Sequence, residues 1–435
     1  MTTSTEQLYS FFRSFPKVCT DSRNVQPGSI FFALSGPSFN GNAFAAAAIA
    51  AGCVYAVVDQ PKFAQDERYL LVDDVLEALQ DLALHHRRQL KTTIIAITGS
   101  NGKTTTKELI REVLSRKYRT VATHGNLNNH IGVPLTLLGI TADAEMAVIE
   151  MGANKRGDIK ELVDIAEPEF GLITNIGKAH LEGMGGYEGV VKTKTELYDF
   201  LRANGKTAFI NTDHQVFNEK SNGIMTFTFG SDPANEVQGT FLSADPLVKF
   251  SWRSTTANQT LESVVETSLV GRYNFENMLA AAAIGAYFEV PVQLINEAIS
   301  GYVPDNNRSQ QVKTTHNNLI LDAYNANPTS MEAAIGNFAE MKAPHKIVIL
   351  GKMMELGETS IEEHIKIAEL ATTSGFDQVY LIGNYYHEAG ITKARQVFDD
   401  VDTAINWFRS NPVANATVLI KGSRANKLER LQEVL

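Results

Sequence analysis

Apolar runs alternate with helix-like stretches through the middle of the chain, beginning at Thr92. Short apolar runs predict buried strands, and the stretches between them have the residue spacing of amphipathic helices. A regular strand–helix alternation is typical of a doubly wound α/β sheet. The predicted strands are 92–98, 145–151, 170–176 and 206–211, and the predicted helices are 103–116, 158–166 and 188–202.

The pattern changes after Ile224, where apolar and polar residues alternate one by one. Such alternation predicts strands with one buried face, and we interpret them as antiparallel strands added to one flank of the central sheet. These segments are 225–229, 247–252 and 264–269, and a helix is predicted to follow them at 274–288.

Two further regions flank this central part. The first contains turn signals, an alanine-rich helix that ends at Gly52, a strand at 54–58 and a polar boundary helix or linker at 81–91. The last contains another strand–helix series, with strands predicted at 318–322, 346–350, 378–382 and 416–421. We therefore predict an α/β protein of three domains. They are a small N-terminal α/β module at 1–85, a central doubly wound domain with appended antiparallel strands at 86–302, and a C-terminal doubly wound, Rossmann-like domain at 303–435.

Composition narrows the class of protein. The 435 residues are 44% hydrophobic and 20% charged, and the formal net charge is −10. An acidic chain is a poor partner for nucleic acid or an anionic membrane, although a local basic pocket still suits a small anion. Cys19 and Cys53 are too few for a disulfide framework or a metal cage, and no apolar stretch reads as a membrane span. We expect a cytoplasmic protein without a secretory signal.

A phosphate-binding loop is the clearest chemical signal, because residues 98–106 read TGSNGKTTT between a predicted strand and a predicted helix. Glycines at such a turn let backbone N–H groups approach phosphate oxygens, and the helix N-terminus adds its positive end. The lysine suits the outer phosphates of a nucleotide, and the first threonine suits magnesium. An ordinary glycine-rich turn is the alternative, and the flanking strand and helix argue against it. The predicted loop residues are Gly99, Ser100, Asn101, Gly102, Lys103, Thr104 and Thr105.

Two polar residues near the carboxyl ends of other predicted strands are candidates for the metal. Glu150 ends one apolar run, and His180 follows the strand at 170–176. Ligands bind at this edge of open α/β sheets. Glu150 suits magnesium better than it suits a cap of the next segment. Because magnesium prefers oxygen ligands, His180 fits a hydrogen-bonding role as well as it fits a metal role.

Lys192 and Lys194 lie on the predicted helix at 188–202. Residues two apart do not share a helix face, so the two side chains cannot act together. A single helical lysine is usually solvated, and the residue pattern alone gives no reason to assign Lys194 another role.

Two loops rich in amide side chains are candidates for binding a polar ligand. One reads GNLNNH at 125–130, and the other reads AYNANP at 323–328 after a predicted strand. Each fits a plain turn as well as it fits a ligand site. Their occurrence together in a nucleotide enzyme favours ligand binding.

In this order along the chain, the motifs resemble those of the Mur ligases, the ATP-dependent ligases of peptidoglycan synthesis. The resemblance covers the whole chain and its three-domain plan. The segments that carry it are 98–106, 125–134, IEMG at 149–152, NIGKAH at 175–180, Asn274 with Asn277, 322–328 and KGSR at 421–424. Asn42 and Lys352 depart from the family pattern, in which His and Asp are usual.

The resemblance implies a role for each motif. Lys103 and Thr104 would hold the ATP phosphates and magnesium, and Glu150 and His180 would serve a second magnesium ion. Lys194 matches a lysine that this family carbamylates, which converts a cation into a carboxylate-like metal partner. The resemblance also assigns Asn277 to adenine, Arg308 and Asp322 to the nucleotide site, and Lys103, Lys194, His180 and Arg308 to catalysis. It assigns Ser22, Arg23, Ser35 and Gly36 to the UDP end of a substrate, and Asn126, Asn128, Asn129, Tyr324, Asn325 and Asn327 to peptide substrates.

Within the family, the segments 324–331 and LGKMMELG at 350–357 resemble the branch that adds D-alanyl-D-alanine to a UDP-N-acetylmuramoyl tripeptide. The implied reaction uses ATP to phosphorylate a carboxylate and then forms an amide from the acyl phosphate. We expect these two small-molecule substrates, ATP, magnesium at two sites, and a monomer. The alternatives are another Mur-type or folylpolyglutamate-type ligase and, from a different class, a nucleotide-dependent regulatory ATPase.

Overall fold

The structure is a computed structural model that describes residues 2–255, 263–391 and 393–435. The described residues form three separate β-sheets with helices packed on them, which confirms the predicted α/β class. The strands are β1 (Val18–Cys19), β2 (Ile30–Phe32), β3 (Tyr55–Val58), β4 (Tyr69–Leu71), β5 (Thr93–Thr98), β6 (Thr120–Ala122), β7 (Met146–Glu150), β8 (Phe170–Ile173), β9 (Thr207–Asn211), β10 (Met225–Gly230), β11 (Val237–Ala244), β12 (Leu247–Ser254), β13 (Ser263–Val270), β14 (Gln310–Lys313), β15 (Asn318–Asp322), β16 (Lys346–Gly351), β17 (Gln378–Ile382), β18 (Gln396–Phe398) and β19 (Thr417–Lys421).

Helices cover the sheets and connect their parallel strands. The α-helices are α1 (Thr5–Ser14), α2 (Ala45–Ala50), α3 (Val75–Gln89), α4 (Lys103–Leu114), α5 (Gly132–Leu138), α6 (Asp158–Ala166), α7 (Leu181–Met184), α8 (Tyr187–Ala203), α9 (Gln215–Lys220), α10 (Asn274–Tyr287), α11 (Val292–Gly301), α12 (Pro328–Glu340), α13 (Ser360–Thr373), α14 (Asn384–Glu388) and α15 (Val401–Ser410). Single turns of 3₁₀-helix lie at Gly41–Phe44, Pro61–Phe63, Gly357–Thr359 and Arg424–Asn426, and a longer one lies at Leu428–Glu433. Among the described residues, no helix is long and apolar enough to cross a membrane.

The central sheet places the predicted chemical residues at one edge. Its strand order is β13-β12-β11-β10-β9-β8-β5-β7-β6, so β5 lies between β7 and β8 and runs parallel to both. The phosphate loop follows β5, Glu150 ends β7, and the segment that leads to His180 follows β8. Because the carboxyl ends of parallel strands meet at one edge, these three segments converge there.

The sequence-based interpretation of the segment at 225–229 as antiparallel is wrong. Strand β10 runs parallel to β9, with Met225 opposite Thr207, and so extends the parallel part of the sheet. The short helix α9 lies between the two strands and returns the chain to the same end of the sheet, a geometry that alternation alone cannot reveal. Strand β11 also pairs parallel with β10, and antiparallel pairing begins between β11 and β12 and continues to β13.

Strand β11 was not predicted from the sequence. Its exposed polar residues and Gly239 weaken the strand pattern. A Cβ atom at Gly239 would lie 2.6 Å from side-chain carbons of Leu279 on α10, so the glycine lets the helix pack closely on the strand.

The sheets on either side are also largely parallel. Strands β1 to β4 form an entirely parallel sheet, and the C-terminal sheet has the order β14-β15-β19-β16-β17-β18. Only β14 runs antiparallel in the described part of that sheet, and its polar sequence at the sheet edge explains why it was not predicted. The N-terminal helix α1 packs Leu8 and Phe12 into the same hydrophobic core as Leu79 of α3 and Ile94 of β5. The N-terminal and central sheets therefore share a continuous core.

Arg87 of α3 holds this shared region together, and we expect Arg87→Ala to lower the free energy of unfolding by about 3 kcal/mol. Its guanidinium donates to the carbonyls of Ala166 at 2.9 Å, Glu167 at 3.1 Å and Thr92 at 3.3 Å, and it pairs with Glu169. Removing the donor leaves buried carbonyls unpaired.

Urea denaturation followed by circular dichroism measures this effect, with Arg88→Ala as the control. Arg88 pairs with Glu167 on the surface, with 59% of its side chain exposed, so its loss should change stability by less than about 0.5 kcal/mol. Equal effects of the two substitutions would contradict the assigned role of Arg87.

Candidate nucleotide and metal site

The loop after β5 has a backbone that only glycine accommodates at two positions. Gly99 and Gly102 have positive φ angles of 145° and 78°. A Cβ atom would lie 2.0 Å from the Thr174 hydroxyl oxygen at Gly99, and 2.5 Å from the Asn277 amide oxygen at Gly102. The chain therefore turns tightly from β5 into α4, and the N-terminus of α4 faces the sheet edge.

The segment after β8 forms hydrogen bonds with the phosphate-binding loop and fixes its shape. The Asn175 side chain accepts a hydrogen bond from the Asn101 N–H and donates one to the Asn101 carbonyl, both at 3.0 Å. The Ser100 hydroxyl accepts from the Gly177 N–H at 2.9 Å. These contacts hold the loop in one shape before any ligand binds, which is the preorganisation that an anion site needs.

Lys103 lies over the loop with its ammonium group bound to loop carbonyls. Its Nζ donates to the Gly99 carbonyl at 2.8 Å and to the Ser100 carbonyl at 3.2 Å. Burial lowers the pKa of Lys103, the negative charge of Glu150 acts in the opposite direction, and the positive charge of Arg308 adds to the lowering. The charged groups of Lys103, Glu150 and Arg308 therefore lie close enough to influence one another, although they come from different parts of the chain.

Glu150 is a buried carboxylate at the end of β7, with 2% of the residue exposed. Its two oxygens accept hydrogen bonds from the Thr104 hydroxyl at 2.9 Å and from the Asn128 amide at 2.8 Å. Both donors are neutral, so hydrogen bonding alone does not balance the buried charge. A hydroxyl, a carboxylate and an amide at one point form an oxygen-rich group that suits magnesium.

Lys194 is buried, with 2% of the residue exposed, whereas Lys192 on the next face of α8 is exposed. The solvated alternative is therefore wrong for Lys194. Helix α8 buries residues at the helical spacing of 190, 194, 197 and 201 against the sheet, a face that sequence alone does not orient.

The protonated, positively charged form of Lys194 is unfavourable in this position. Burial lowers its pKa well below the ordinary value, and the nearby charge of Lys103 lowers it further, against smaller opposing effects of Asp158, Glu196 and Glu150. Its ammonium takes part in none of the hydrogen bonds and ion pairs found among the described residues. The environment therefore favours the neutral amine.

His180 directly precedes α7 and has a positive φ angle of 51°. Its ring lies at the cavity described below, and its Nδ1 lies against a carboxylate oxygen of Glu355, which belongs to the loop after β16. The structure therefore brings the C-terminal region to the candidate metal residues.

Asn277 of α10 forms a hydrogen bond with the segment that contains the phosphate-binding loop. Its amide oxygen accepts from the Thr106 hydroxyl at 3.0 Å, and its amide nitrogen donates to Asn274 at 2.9 Å. Both ends of the side chain are used within the protein, so its predicted contact with adenine stays a prediction.

Residues from the C-terminal side complete the site. The guanidinium of Arg308 lies 3.9 Å from the centre of the Tyr324 ring, and Lys421 forms an ion pair with Asp322. Ser309, beside Arg308, has its hydroxyl 2.9 Å from that of Tyr273. Stacking on Tyr324 holds the Arg308 guanidinium beside the cavity without neutralising its charge.

A cavity of about 440 Å³ lies between these groups and is large enough for a small-molecule ligand. The sequence-predicted residues that line it are Ser100, Asn101, Gly102, Lys103, Thr104, Thr105, Asn126, Asn128, Glu150, His180, Asn277, Arg308, Asp322, Tyr324 and Asn325. The lining residues without a predicted role include Asn175, His214, Tyr273, Asn274, Glu276, Ser309, Thr329 and Lys421.

The predicted residues that do not line this cavity are Gly99, Asn129, Lys194, Asn327 and four residues of the N-terminal region. Asn129 accepts from the Gly132 N–H at 2.9 Å at the start of α5. Asn327 caps α12 through the Ser330 N–H at 2.9 Å, and its amide nitrogen donates to Asn101 at 2.7 Å. In both cases the amide has a structural role that the composition of the loops could not distinguish from ligand binding.

The four predicted residues of the N-terminal region also lie outside the cavity. Arg23 forms a surface ion pair with Asp21, with 88% of the arginine side chain exposed. Ser35 accepts from the Gly41 N–H at 3.1 Å, and Gly36 forms a β-bridge with Phe39. Their predicted contact with a UDP group therefore concerns a separate surface.

Of the residues that sequence reasoning missed, Asn175, Asn274 and Lys421 had a visible signal. All three belong to motifs that carried the family resemblance, but none of them received a role. Glu355 belongs to the segment at 350–357, which also carried the resemblance, but its approach to His180 could not be predicted, because it depends on how the C-terminal sheet packs on the central one.

Comparison with known families covers most of the chain. Residues 16–87 match the model described as Mur ligase family, catalytic domain. Residues 97–285 match the Mur ligase middle domain. Residues 307–424 match the model described as Mur ligase, glutamate ligase domain.

Individual relatives match over nearly their full length. The UDP-N-acetylmuramoyl-tripeptide–D-alanyl-D-alanine ligase of Escherichia coli (strain K12) is 35% identical, over 96% of this chain and 93% of the relative. The ligase of the same name from Bacillus subtilis (strain 168) is 32% identical, over 95% of this chain and 92% of the relative. A crystal structure of MurF from Acinetobacter baumannii has a TM-score of 0.85 and 31% identity, and the match covers 96% of this chain and 92% of that one.

Proposed function

The chain belongs to the Mur ligase family, and we propose on that basis that it adds D-alanyl-D-alanine to a UDP-N-acetylmuramoyl tripeptide in an ATP-dependent step of peptidoglycan precursor synthesis. The near full-length match to ligases of that name supports this substrate pair. The observation that carries the chemistry is the cavity, where the phosphate loop, a buried carboxylate and a stacked arginine meet. A site of this composition suits ATP-driven activation of a carboxylate.

The residues present fit a magnesium ion. Thr104 and Glu150 offer hard oxygen ligands at the phosphate loop, and the side-chain hydrogen-bond donors to Glu150 found among the described residues are neutral. When bound, magnesium would lower the negative charge on the phosphate oxygens and so favour attack at phosphorus. His180 would contribute a nitrogen at the same edge.

We assign Lys194 a carbamate for the same reason. Its neutral amine can add carbon dioxide, which gives a group with negative charge and two oxygens. Burial already favours the neutral amine, and the charge of Lys103 nearby, which disfavours an ammonium at position 194, favours an anion there. The carbamate would supply oxygen ligands for a second magnesium ion.

The reaction proceeds in two steps under this proposal. The terminal carboxylate of the tripeptide attacks the γ-phosphorus of ATP, and ADP leaves. The amine of D-alanyl-D-alanine then attacks the acyl carbon of the acyl phosphate, and inorganic phosphate leaves. A carboxylate is a poor electrophile, and phosphorylation gives it a leaving group.

The protein's part is to bring two anions together and to exclude water. Lys103 and Arg308 both line the cavity, and their positive charges would lower the repulsion between phosphate and carboxylate. Exclusion of water from the cavity protects the acyl phosphate from hydrolysis. The Asn126 and Asn128 loop lies at the Glu150 side of the cavity and would hold the peptide ends.

Two further groups of residues would bind the UDP and adenosine parts of the substrates. The N-terminal surface with Ser22, Arg23, Ser35 and Gly36 would hold the UDP group, and Asn277, Arg308 and Asp322 would hold the adenosine. We propose that the enzyme acts as a monomer in the cytoplasm, where its nucleotide-linked substrate and ATP are available.

The release of ADP in the presence and absence of each substrate tests this function. A ligase should release ADP rapidly only when the UDP-tripeptide and the dipeptide are both present. A regulatory ATPase would hydrolyse ATP without either. A folylpolyglutamate-type or other Mur-type ligase would respond to a different acceptor or amine.

A discrete acyl phosphate should be trapped by hydroxylamine. With ATP and the UDP-tripeptide present and the dipeptide absent, we expect a hydroxamate of the muramoyl peptide, detected by mass spectrometry. A reaction without ATP is the control. Normal ligation without any hydroxamate would contradict the stepwise route and favour a concerted one.

A further inference from the structure

His180 and Glu355 meet across the boundary between the central and C-terminal sheets. The Nδ1 of His180 lies against a carboxylate oxygen of Glu355, and this contact lowers the pKa of Glu355. That nitrogen is buried and forms no hydrogen bond of regular geometry with a described residue, so the ion-pair contact with Glu355 is the polar contact found for it. His180 also lines the cavity, and its second ring nitrogen, Nε2, is not the atom that contacts Glu355.

His180 and Glu355 both have a positive φ angle, which is unfavourable for a residue with a Cβ atom. The φ angles are 51° at His180 and 63° at Glu355, in the left-handed region that costs a residue with a Cβ roughly 1–2 kcal/mol. Such conformations persist only where the surroundings hold them, and they are concentrated at functional sites. Here two of them face each other at one contact.

Independent contacts fix the same boundary. The Lys178 N–H donates to the Thr329 hydroxyl at 3.1 Å, and Asn327 donates to Asn101 of the phosphate loop at 2.7 Å. Gly357 packs on Glu182, where an added Cβ would lie 3.3 Å away. The loop that carries Glu355 is therefore held against the segment that carries His180.

We propose that Glu355 is a positioning residue for His180, and that the C-terminal region completes the candidate metal site by setting the tautomer of this ring. The carboxylate accepts a hydrogen bond from Nδ1–H, which leaves Nε2 unprotonated and directed at the cavity as a ligand. Histidines that bind metals generally donate their second ring N–H in this way. The metal role of Nε2 rests on the proposed function, whereas the tautomer does not.

Nitrogen NMR of ¹⁵N-histidine-labelled protein at mildly alkaline pH, without added magnesium, tests the tautomer. His180→Asn serves to assign the signal. We expect wild-type His180 to carry its proton on Nδ1, and Glu355→Ala to return it to Nε2, the tautomer that free neutral imidazole prefers. Thr329→Ala weakens the same boundary without touching the ring and should leave the proton on Nδ1.

Three results would overturn the inference. They are a wild-type ring protonated on Nε2, no change in Glu355→Ala, and an equal change in Thr329→Ala, which would mean that Glu355 only holds the boundary. Glu355→Gln should keep the wild-type structure of the loop, and its amide oxygen can still accept a hydrogen bond from Nδ1–H. This variant should therefore retain the wild-type tautomer.

Magnesium dependence of ligation tests the consequence. Glu355→Ala should raise the magnesium concentration for half-maximal rate by about ten- to hundredfold, with the rate largely recovered at saturating magnesium. Glu355→Gln should show a smaller shift. Glu358→Ala, an exposed glutamate of the same loop, should match the wild type.

The tautomer measurement and the magnesium titration distinguish a failure of the proposed function from a failure of the positioning role. If the wild type does not ligate the proposed substrates, the proposed function fails while the tautomer measurement still decides the role of Glu355. If ligation is normal and Glu355→Ala needs no more magnesium than the wild type, the positioning role fails while the function stands. A rate lowered equally at all magnesium concentrations would also contradict it, because it would indicate a general structural defect.

Discussion

Lys194→Ala is expected to lower turnover by about three decades, or roughly 4 kcal/mol of activation barrier, while the protein stays folded. Lys194 is buried beside Lys103, and its lowered pKa favours the neutral amine that can become a carbamate. The substitution would remove an anion from the site where ATP and a carboxylate meet. Initial rates at saturating substrates measure the loss, and thermal unfolding checks the fold.

Small carboxylic acids such as acetate should partly restore the activity of Lys194→Ala, since they supply an anion to the vacated space. Lys192→Ala is the matched control on the same helix, because that side chain is exposed and its loss should change the rate little. Near wild-type turnover in Lys194→Ala would refute the carbamate. Loss of activity without rescue would weaken the carbamate assignment without refuting it, because a buried space can exclude small acids.

Lys103→Ala should lower turnover by more than about tenfold, equivalent to at least roughly 1.4 kcal/mol of barrier, with little loss of stability. The residue is the first of α4, and among the described residues its Nζ donates to two loop carbonyls at 2.8 and 3.2 Å, so no core cavity forms when it is removed. The loss arises because the ammonium group would no longer offset negative charge on the ATP phosphates.

Lys103→Met separates charge from packing, since methionine keeps most of the aliphatic stem. Both variants should lose activity to a similar extent if the ammonium group acts on phosphate. Recovery of more than a tenth of the wild-type rate by the methionine variant would contradict that role. Calorimetric ATP titration of both variants shows whether the loss arises in binding or in turnover.

The parts of the fold that follow from local pattern could be predicted from the sequence. Buried parallel strands are short apolar runs, and the loop at 98–106 combines glycines, a lysine and a helix start within a few residues. Glu150 could be placed because it ends such a run. These features depend on neighbours in the chain, so the sequence displays them directly.

Features that depend on packing between distant segments could not be predicted. The burial of Lys194 depends on which face of α8 meets the sheet, and the direction of β10 depends on the path of the chain through α9. The contact of Glu355 with His180 joins two sheets. Asn129 and Asn327 show a different limit, because an amide that caps a helix and one that binds a ligand have the same local sequence.

Product identification by mass spectrometry tests the central claim most directly. The enzyme is incubated with ATP, magnesium, a UDP-N-acetylmuramoyl tripeptide and a panel of amines that includes D-alanyl-D-alanine, D-glutamate, L-glutamate, L-lysine and diaminopimelate. The account predicts a single new product, the UDP-muramoyl pentapeptide, formed only with the dipeptide and accompanied by one ADP per molecule. A product with another amine in its place, or ADP without any amide product, would contradict it.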